Sequence, residues 1–457
     1  MAKPASQEFL ATLGQTIEQG VSLHRQGKLA EAEKIYARVL KAVPDQFETL
    51  SLMAELKVAT GRAGEALRLA AAAVAARPDS ANALVMHGHV LRMLKREDEA
   101  LASFDKALTR EPNHIDALGI RGDLLLARGR AADALQNFEK ILALDSRHIE
   151  ARINRGAALA VLGRAEPALA DFEAVLAQSP QHPRAHYNRA NALALLGRYA
   201  ESLASYDRVL TVNPRHVQAH NNRGGVLLAL KRHADASAAF GQALALVPDY
   251  ADAHFNQSLA LLATGDYPRG FAAYEWRWKR SGMPQTRPNY GRPLWLGEFP
   301  LERKTILIHS EQGLGDTIQF ARYIPLLARA GATVKLEVHA ALKPLLSRIA
   351  GVSEVVARGE ALPAFDVHCP FGSLPLALKT QLASVPADLP YLAADESRIA
   401  IWRSRIEALE RPRVAIVWAG NINHVGAMNE ILYDIKLGER AVREGGIDKP
   451  VGSGTTG

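Results

Sequence analysis

A short glycine-rich segment contains the residue best suited to acid–base chemistry. Residues 310–323 read SEQGLGDTIQFARY, in which Gly313, Gly315 and Asp316 lie between an apolar run and a helical pattern. The two glycines would let a turn approach a ligand closely, and the free N–H groups at the start of a helix favour an anion. The Asp316 carboxylate could take a proton from a reacting hydroxyl group, but an aspartate here is also a good helix cap. The segment alone leaves both roles open.

Four asparagines at intervals of 34 residues form a second set of chemically useful side chains. They are Asn154, Asn188, Asn222 and Asn256. Asparagine is a poor helix former because its amide competes for backbone groups, so its recurrence at one helical position indicates another purpose. Each amide offers a donor and an acceptor, which suits pairing with the backbone of an extended peptide. The alternative is that the amides bond to neighbouring repeats and fix the superhelical twist.

The four asparagines lie on predicted helices, and the 34-residue period of these helices is visible along the first 280 residues. Small residues recur on this grid, and in seven of eight cases a large residue follows 16 positions later. The small residues are Gly20, Ala54, Gly88, Gly122, Gly156, Ala190, Gly224 and Ser258, and the large ones are Tyr36, Phe104, Phe138, Phe172, Tyr206, Phe240 and Tyr274. Prolines occupy six of the seven slots between repeats, and they end helices because proline lacks an N–H group. The pattern predicts eight helix pairs that stack into a solenoid with a concave side, because no pair can bury its apolar face alone.

This pattern is identified as tetratricopeptide repeats, which we place at residues 13–280 after a lead-in at residues 1–12. In that fold the position of the four asparagines faces the concave groove. The series therefore resembles the asparagine ladder of the protein O-linked N-acetylglucosamine transferases, and it implies a protein or extended peptide as partner. The four earlier repeats carry Glu18, Leu52, Met86 and Ile120 at this position, so the ladder is confined to the second half of the solenoid.

The pattern changes after a connector at residues 281–303. Trp276, Trp278, Tyr290 and Trp295 lie among prolines near this point, which favours a packed connector, with a carbohydrate platform as the alternative. Apolar runs at 305–310, 333–339, 353–357, 365–370 and 413–421 then alternate with helical segments. Such alternation predicts a parallel sheet covered by helices, in which ligands bind at the carboxyl ends of the strands. The GLGD segment lies at such an end.

The stretches YEWRW, PLW, EQGLGDTIQFARY, SLPLAL and VWAGNINH resemble bacterial proteins in which tetratricopeptide repeats precede a glycosyltransferase-like domain. The resemblance implies that residues 304–424 form the α/β, Rossmann-like half of a GT-B fold, similar to the ADP-heptose transferases. It further implies that Asp316 is the catalytic base, and that Gly313, Gly315, Asn421 and His424 contact the phosphate of a nucleotide sugar. That nucleotide sugar would be a donor substrate, and we expect neither a separate cofactor nor a metal.

The resemblance stops after His424. Residues 425–457 show little strand–helix alternation, and we expect them to form a divergent, disordered tail in place of the second Rossmann-like half that a GT-B enzyme needs. The sequence therefore favours a peptide-binding scaffold fused to an incomplete glycosyltransferase-like domain. The alternative is an active glycosyltransferase that modifies a protein or glycan hydroxyl, with the donor half supplied by another chain or a longer reading frame.

Composition argues against several other classes of protein. The single cysteine, Cys369, excludes an internal disulfide, and no run of 18 apolar residues predicts a membrane span. The net charge of +7 comes from 55 basic and 48 acidic residues, and aromatic residues interleave with basic ones only near the connector, which argues against nucleic-acid binding. Without a signal-like N-terminus, we expect a cytoplasmic protein. Self-association through the repeats stays open.

Overall fold

The computed structural model of this chain describes residues 12–280, 287–388, 390–393 and 396–407. These residues fall into two compact units. The first runs to Pro300 and includes Asp366–Pro386, and the second contains Leu301–Phe365 and the described residues from Ala387 onwards. Within these ranges, no helix combines the length and apolar character that crossing a lipid bilayer requires.

Residues 13–274 form eight pairs of helices, as the 34-residue period predicts. In chain order they are α1 Leu13–Arg25, α2 Leu29–Ala42, α3 Phe47–Ala59, α4 Ala63–Ala76, α5 Ala81–Met93, α6 Glu97–Arg110, α7 Ile115–Ala127, α8 Ala131–Leu144, α9 Ile149–Val161, α10 Ala165–Gln178, α11 Pro183–Leu195, α12 Tyr199–Val212, α13 Val217–Ala229, α14 His233–Leu246, α15 Ala251–Ala263 and α16 Tyr267–Tyr274. The odd-numbered helices are the first helices of the pairs. The predicted helical solenoid is thereby confirmed.

The close approach of paired helices explains the small and aromatic residues of the repeat. A Cβ atom added to Gly224 would lie 2.5 Å from Cε1 of the fully buried Phe240, and one added to Gly156 would lie 2.6 Å from the ring of Phe172. In these two repeats, glycine therefore lets the aromatic ring of the second helix lie against the backbone of the first. The ring in turn fills the space that the missing side chain leaves.

The turn within most pairs contains a glycine with positive φ. Gly197, for example, has φ of 72° and joins α11 to α12. Lys95 and Lys231 occupy the same place in their own repeats, with φ of 59° and 58°. A side chain is disfavoured in this left-handed region, so these two turns carry local backbone strain.

Polar side chains fix the start of the first helices. The residues that accept the N–H group three positions ahead are Gln46, Ser80, His114, His148, His182 and His216. Four consecutive repeats thus use a histidine Nδ1 atom as the helix cap, and such an atom can accept only while it carries no proton.

Arginines at one position of four first helices link successive helices. Arg121 pairs with Asp105 of the preceding repeat at 2.7 Å, and Arg223 pairs with Asp207 at 2.8 Å. Arg189 reaches Glu173 of the preceding repeat and also Ser205 of its own repeat, at 3.1 and 2.7 Å. The remaining member, Arg155, pairs with Asp171 of its own repeat. These contacts help to hold each first helix against the second helices beside it.

The C-terminal end of the solenoid is a packed structure, as the tryptophans of the connector predict. Trp276 stacks on His254 with ring centroids 3.9 Å apart. Trp295 is buried, and its indole N–H donates to the carbonyl of Phe299 at 2.9 Å. The segment Asp366–Pro386 belongs to this first unit and contains the short strand Val367–Pro370 and the short helix Leu374–Ala377.

The second unit contains three parallel strands in the spatial order β3-β2-β1. They are β1 Thr305–His309, β2 Thr333–Val338 and β3 Val352–Ala357, which match three of the predicted apolar runs. The helices of this unit are α17 Leu314–Ala321, α18 Ile324–Arg329, α19 Lys343–Leu346 and, after the segment that belongs to the first unit, Glu396–Glu407. A small parallel sheet region is therefore present, while its assignment to a GT-B fold and the predicted domain boundaries stay predictions.

Candidate functional site

The first helices line a groove along the solenoid, and two cavities open on it. One has a volume of about 780 Å³ and is lined by residues of α1, α3 and α5. The other has a volume of about 540 Å³ and is lined mainly by α7 and α9. The concave surface of a solenoid is the usual binding surface of repeat proteins, so these side chains are the first candidates for a binding site.

The first cavity is apolar at its floor and acidic at its edge. Leu52 and Met86 are half-buried side chains of the floor, together with the buried Ile17. Glu48 and Glu55 are exposed at the edge. In this part of the groove, Leu52 and Met86 thus occupy the slot that the asparagines occupy further along the chain, and Glu18 occupies it in the first repeat.

The second cavity contains the first asparagine of the series. Asn154 donates to Asp123 at 2.6 Å, and its amide oxygen accepts from the guanidinium of Arg184. Arg184 also pairs with Glu150 at 2.7 Å. Burial raises the pKa of Asp123 above its ordinary value because its charged form is poorly hydrated there. Asn154 is therefore held within a network that joins three repeats.

Asn222 and Asn256 are also held by neighbouring repeats. Asn222 donates to the hydroxyl of Tyr187 at 3.0 Å and to the amide oxygen of Asn191 at 3.1 Å. Asn256 donates at 3.1 Å to Asn221, whose own amide donates to Asn222. A continuous amide network therefore crosses the last three repeats. With those of Asn154, these contacts support the structural alternative for three of the four asparagines.

Asn188 differs from the other three members. It is half-buried on α11, and within the described ranges no hydrogen bond involves its side-chain amide. The four amides form no hydrogen bond with one another among the described residues. Asn154, Asn222 and Asn256 bond instead to residues outside the series. The peptide-binding role of the series stays a prediction, and Asn188 is the member whose donor and acceptor are available for it.

Tyr187, Asn191 and Asn221 are site residues that the sequence reasoning missed. Tyr187 and Asn221 lie one residue before a position of the asparagine series, and Asn191 lies four residues after Tyr187, on the same face of α11. Polar residues at that spacing, in HYNRAN and HNNRGG, are the signal that could have found them. Their partners in neighbouring repeats could not be read from the sequence, because those bonds depend on how successive repeats pack.

In the second unit, Asp316 caps the helix that follows the glycine-rich segment. Its carboxylate accepts the backbone N–H of Gly313 at 3.2 Å, one residue before α17 begins. Gly315 lies in the first turn of the same helix and is exposed, as is Gly313. The cap accounts for Asp316 without a ligand, while the role of a base stays a prediction.

Two basic side chains lie beside this segment and were not identified from the sequence. His339, which follows β2, has Nε2 3.0 Å from the carbonyl oxygen of Gln312. Arg358, which follows β3, donates from its guanidinium to the carbonyl oxygen of Ser310. Their positions directly after two parallel strands are the signal that could have found them. Asn421 and His424, the other predicted phosphate contacts, lie outside the described residues.

Comparison with known proteins identifies the repeats. Family models described as Tetratricopeptide repeat match residues 23–86, 81–114, 121–183, 183–216 and 232–276. Protein FlbA of Caulobacter vibrioides is 28% identical over 173 residues, which cover 34% of this chain and 29% of FlbA. The chain thus spans less than a third of the length of this curated relative.

Several solved structures of repeat proteins are similar to this chain. A tetratricopeptide repeat protein from Parabacteroides merdae is 20% identical, with a TM-score of 0.44 over 55% of this chain and 99% of that one. YrrB, described as a TPR protein with an unusual peptide-binding site, is 24% identical, with a TM-score of 0.37 over 40% of this chain and 95% of YrrB. TTC0263 from Thermus thermophilus is 24% identical, with a TM-score of 0.35 over 40% of this chain and 100% of TTC0263.

Proposed function

Since the chain is a tetratricopeptide-repeat protein, we propose that the groove of its solenoid binds an extended segment of a partner protein. Solenoids of this kind use their concave surface for binding. The observation that carries the proposal is Asn188, whose amide lies on a groove-lining helix without a hydrogen-bond partner among the described residues. Because no hydrogen bond holds this amide among the described residues, a ligand can pair with it without breaking an internal bond.

The surroundings of Asn188 support an extended backbone as the ligand. The amide of a peptide bond offers one donor and one acceptor, which the side-chain amide of Asn188 can match in a single plane. Asn154 and Asn222 lie one repeat to either side and are fixed by their own hydrogen bonds. Because the side chains on either side of Asn188 are already fixed, the groove loses little conformational entropy on binding. The hydrogen bonds to Asn188 therefore contribute more of their free energy to the affinity.

The test uses peptides selected from a random displayed library against the full chain. Selected peptides are titrated against the parent protein and Asn188→Ala by fluorescence anisotropy. The substitution should weaken binding about 3- to 10-fold, the effect of losing one or two hydrogen bonds. Asn113→Ala is the matched control, because Asn113 is an exposed asparagine in a turn between repeats. It should leave the affinity unchanged.

Thermal unfolding of both variants shows whether the fold is intact. Asn188→Ala should melt with the parent, because it breaks no internal hydrogen bond among the described residues. If library selection yields no groove-binding peptide, or if Asn188→Ala binds every selected peptide as tightly as the parent does, the proposal fails. Asn222→Ala is the less informative change, because it also removes the bonds to Tyr187 and Asn191.

A second candidate function concerns the glycine-rich segment of the second unit. We propose that this edge binds the phosphates of a nucleotide sugar, with Gly313 and Gly315 allowing close approach and Asp316 acting as base. By the resemblance, Asn421 and His424 would contribute to the same contacts. The favouring observation is that His339 and Arg358 lie beside this segment, where they bond to the carbonyl groups of Gln312 and Ser310, just before Gly313. We propose first that the chain is a binding scaffold with an incomplete glycosyltransferase-like domain; the alternative is an active glycosyltransferase.

Calorimetric titration of the full chain with a panel of nucleotide sugars tests this second function. Saturable heat with any donor would support it, and flat traces across the panel would contradict it. Asp316→Asn separates the two roles of the residue, because an amide oxygen can still accept the N–H of Gly313 but cannot act as a base. If Asp316 is a base, the variant should bind donor as the parent does and lose sugar transfer to an acceptor hydroxyl.

A further inference from the structure

The cavity between α1, α3 and α5 differs in chemistry from the rest of the groove. Its floor contains the side chains of Ile17, Val21, Phe47, Leu52 and Met86. Ile17 is buried, and the other four are half-buried. A volume of about 780 Å³ lies within the range of pockets that enclose a ligand group. The cavity therefore has room for large apolar side chains.

The edge of the same cavity is acidic. Glu18, Glu48 and Glu55 line it and are exposed, and none of them forms an ion pair with a lysine or arginine of the described chain. Among the described residues, Arg25 is the one basic side chain that lines this cavity. The three carboxylates outnumber it, so the described lining has a net negative charge.

Two other carboxylates of the same repeats, in contrast, form ion pairs. Glu33 and Glu65, on the second helices, both pair with Lys57 at 2.6 Å, and Glu33 also pairs with Arg62. Glu18, Glu48 and Glu55, which line the cavity, thus differ from Glu33 and Glu65 in having no ion-pair partner among the described residues. A ligand with positive charge around an apolar group would complement both parts of the cavity.

We propose that this cavity binds a partner segment in which a large apolar side chain is flanked by arginine or lysine residues. The inference rests on the proposed peptide-binding function of the groove and adds a sequence preference to its N-terminal part. The apolar side chain occupies the floor beside Leu52 and Met86. The flanking cations lie near Glu48 and Glu55, where they neutralise charges that have no partner within the described chain.

The experiment uses three synthetic peptides that share the core Leu-Trp-Leu and differ only in their flanking residues. The flanks are arginine, serine or glutamate, and each peptide is titrated against the full chain by fluorescence anisotropy. The arginine-flanked peptide should bind at least about 10-fold more tightly than the serine-flanked one, and the glutamate-flanked one should not bind. Added salt should reduce this difference, because the flanking charges are exposed to solvent.

Paired substitutions assign the preference to this cavity. Glu48→Gln with Glu55→Gln should weaken the arginine-flanked peptide about 10-fold and leave the serine-flanked one unchanged. Asp79→Asn with Glu111→Gln removes the same number of charges from exposed positions between repeats and should change neither. Equal affinity for all three flanks, no binding of the arginine-flanked peptide, or an unchanged affinity in the first variant would each overturn the proposal.

Two further outcomes separate this inference from its rivals. A peptide of residues 1–11, MAKPASQEFLA, is titrated beside the others. If it binds more tightly than the arginine-flanked peptide, the cavity belongs to the N-terminal segment of the chain itself, and the proposal is overturned. If library-selected peptides still bind and respond to Asn188→Ala while flanking charge has no effect, only this inference fails. If no peptide binds anywhere in the groove, the proposed function fails with it.

Discussion

The guanidinium of Arg277 donates a 2.7 Å hydrogen bond to the hydroxyl of Ser373, although 96 residues separate them in the chain. Both side chains are buried. The same hydroxyl donates to Glu275 at 2.7 Å, and Glu275 pairs with Arg277 at 2.6 Å, so the three groups form a closed triangle. Through it the segment Asp366–Pro386 is tied to the last helices of the solenoid.

Removal of the Ser373 hydroxyl should destabilise the first unit. In Ser373→Ala the buried guanidinium loses one acceptor, and the cost of an unmade hydrogen bond to a buried charge is about 1–3 kcal/mol. Urea unfolding followed by circular dichroism measures this loss. Ser347→Ala, at an exposed serine of the second unit, is the control and should stay within about 0.5 kcal/mol of the parent. Equal unfolding midpoints for Ser373→Ala and the parent would contradict the prediction.

Two adjacent glycines of α13 should respond in opposite directions to the same substitution. Gly224→Ala places a Cβ atom 2.5 Å from the Phe240 ring, and such overpacking costs about 1–3 kcal/mol. Gly225→Ala meets no atom within 4 Å, so it should gain up to about 1 kcal/mol from the better helix propensity of alanine. Thermal unfolding of both variants decides the matter. If Gly224→Ala melts at or above the temperature of the parent, the ring does not require the glycine.

The sequence allows prediction of the solenoid because one local rule is repeated eight times. The contact of Gly224 with Phe240 links residues 16 positions apart within one pair of helices, and the same spacing recurs in most pairs. Three apolar runs after residue 304 likewise predict the positions of β1, β2 and β3 along the chain. The inclusion of Asp366–Pro386 in the first unit is not predicted, because it rests on contacts between residues far apart in the chain, such as Arg277 with Ser373, which no local pattern encodes.

The candidate site was less predictable than the fold. The 34-residue spacing predicted a single face for the four asparagines, but the partner of Asn222 is Tyr187, 35 residues earlier. Such a bond depends on the rotation between successive repeats, which the sequence does not state. For Asp316 the sequence offered both a cap and a base, and the distance to Gly313 accounts for the cap alone.

The turn before α14 should become more stable when its lysine is replaced by glycine. Lys231 has φ of 58°, where a residue with a side chain is disfavoured by about 1 kcal/mol or more relative to glycine. Part of that gain is offset by the greater freedom of glycine in the unfolded chain, so Lys231→Gly should stabilise by roughly 0.5–1 kcal/mol. Thermal unfolding measures the shift.

Two variants control for the loss of the lysine charge and for the position. Lys231→Ala removes the charge but keeps a side chain in the left-handed region, so its stability should stay close to that of the parent. Gly197→Ala introduces a side chain at the equivalent turn one repeat earlier, where φ is 72°, and should lose about 1 kcal/mol. If Lys231→Gly and Lys231→Ala melt together, backbone strain does not limit this turn.

The histidine cap of α13 should make the stability of the solenoid depend on pH. Burial lowers the pKa of His216 below its ordinary value of 6.5, because the charged ring is less hydrated in the folded chain. The unfolded chain therefore takes up the proton at a higher pH than the folded one. The contribution to stability is complete above about pH 6.5, and it is lost as the pH falls from there through the folded pKa. Protonation also removes the acceptor that Nδ1 offers to the N–H of Ala219 at 3.3 Å.

His216→Asn should reduce this pH dependence, because asparagine accepts the same N–H group at a helix start but does not titrate. We expect the melting temperature of the parent to fall between about pH 7.5 and about pH 5.5, and that of the variant to fall less. His87 and His89 also have lowered pKa values because of burial, so both proteins should retain part of the decline. His216→Ala, which has neither cap nor charge, should be less stable than His216→Asn at neutral pH. Parallel curves for the parent and His216→Asn would mean that proton uptake at this cap does not contribute to unfolding.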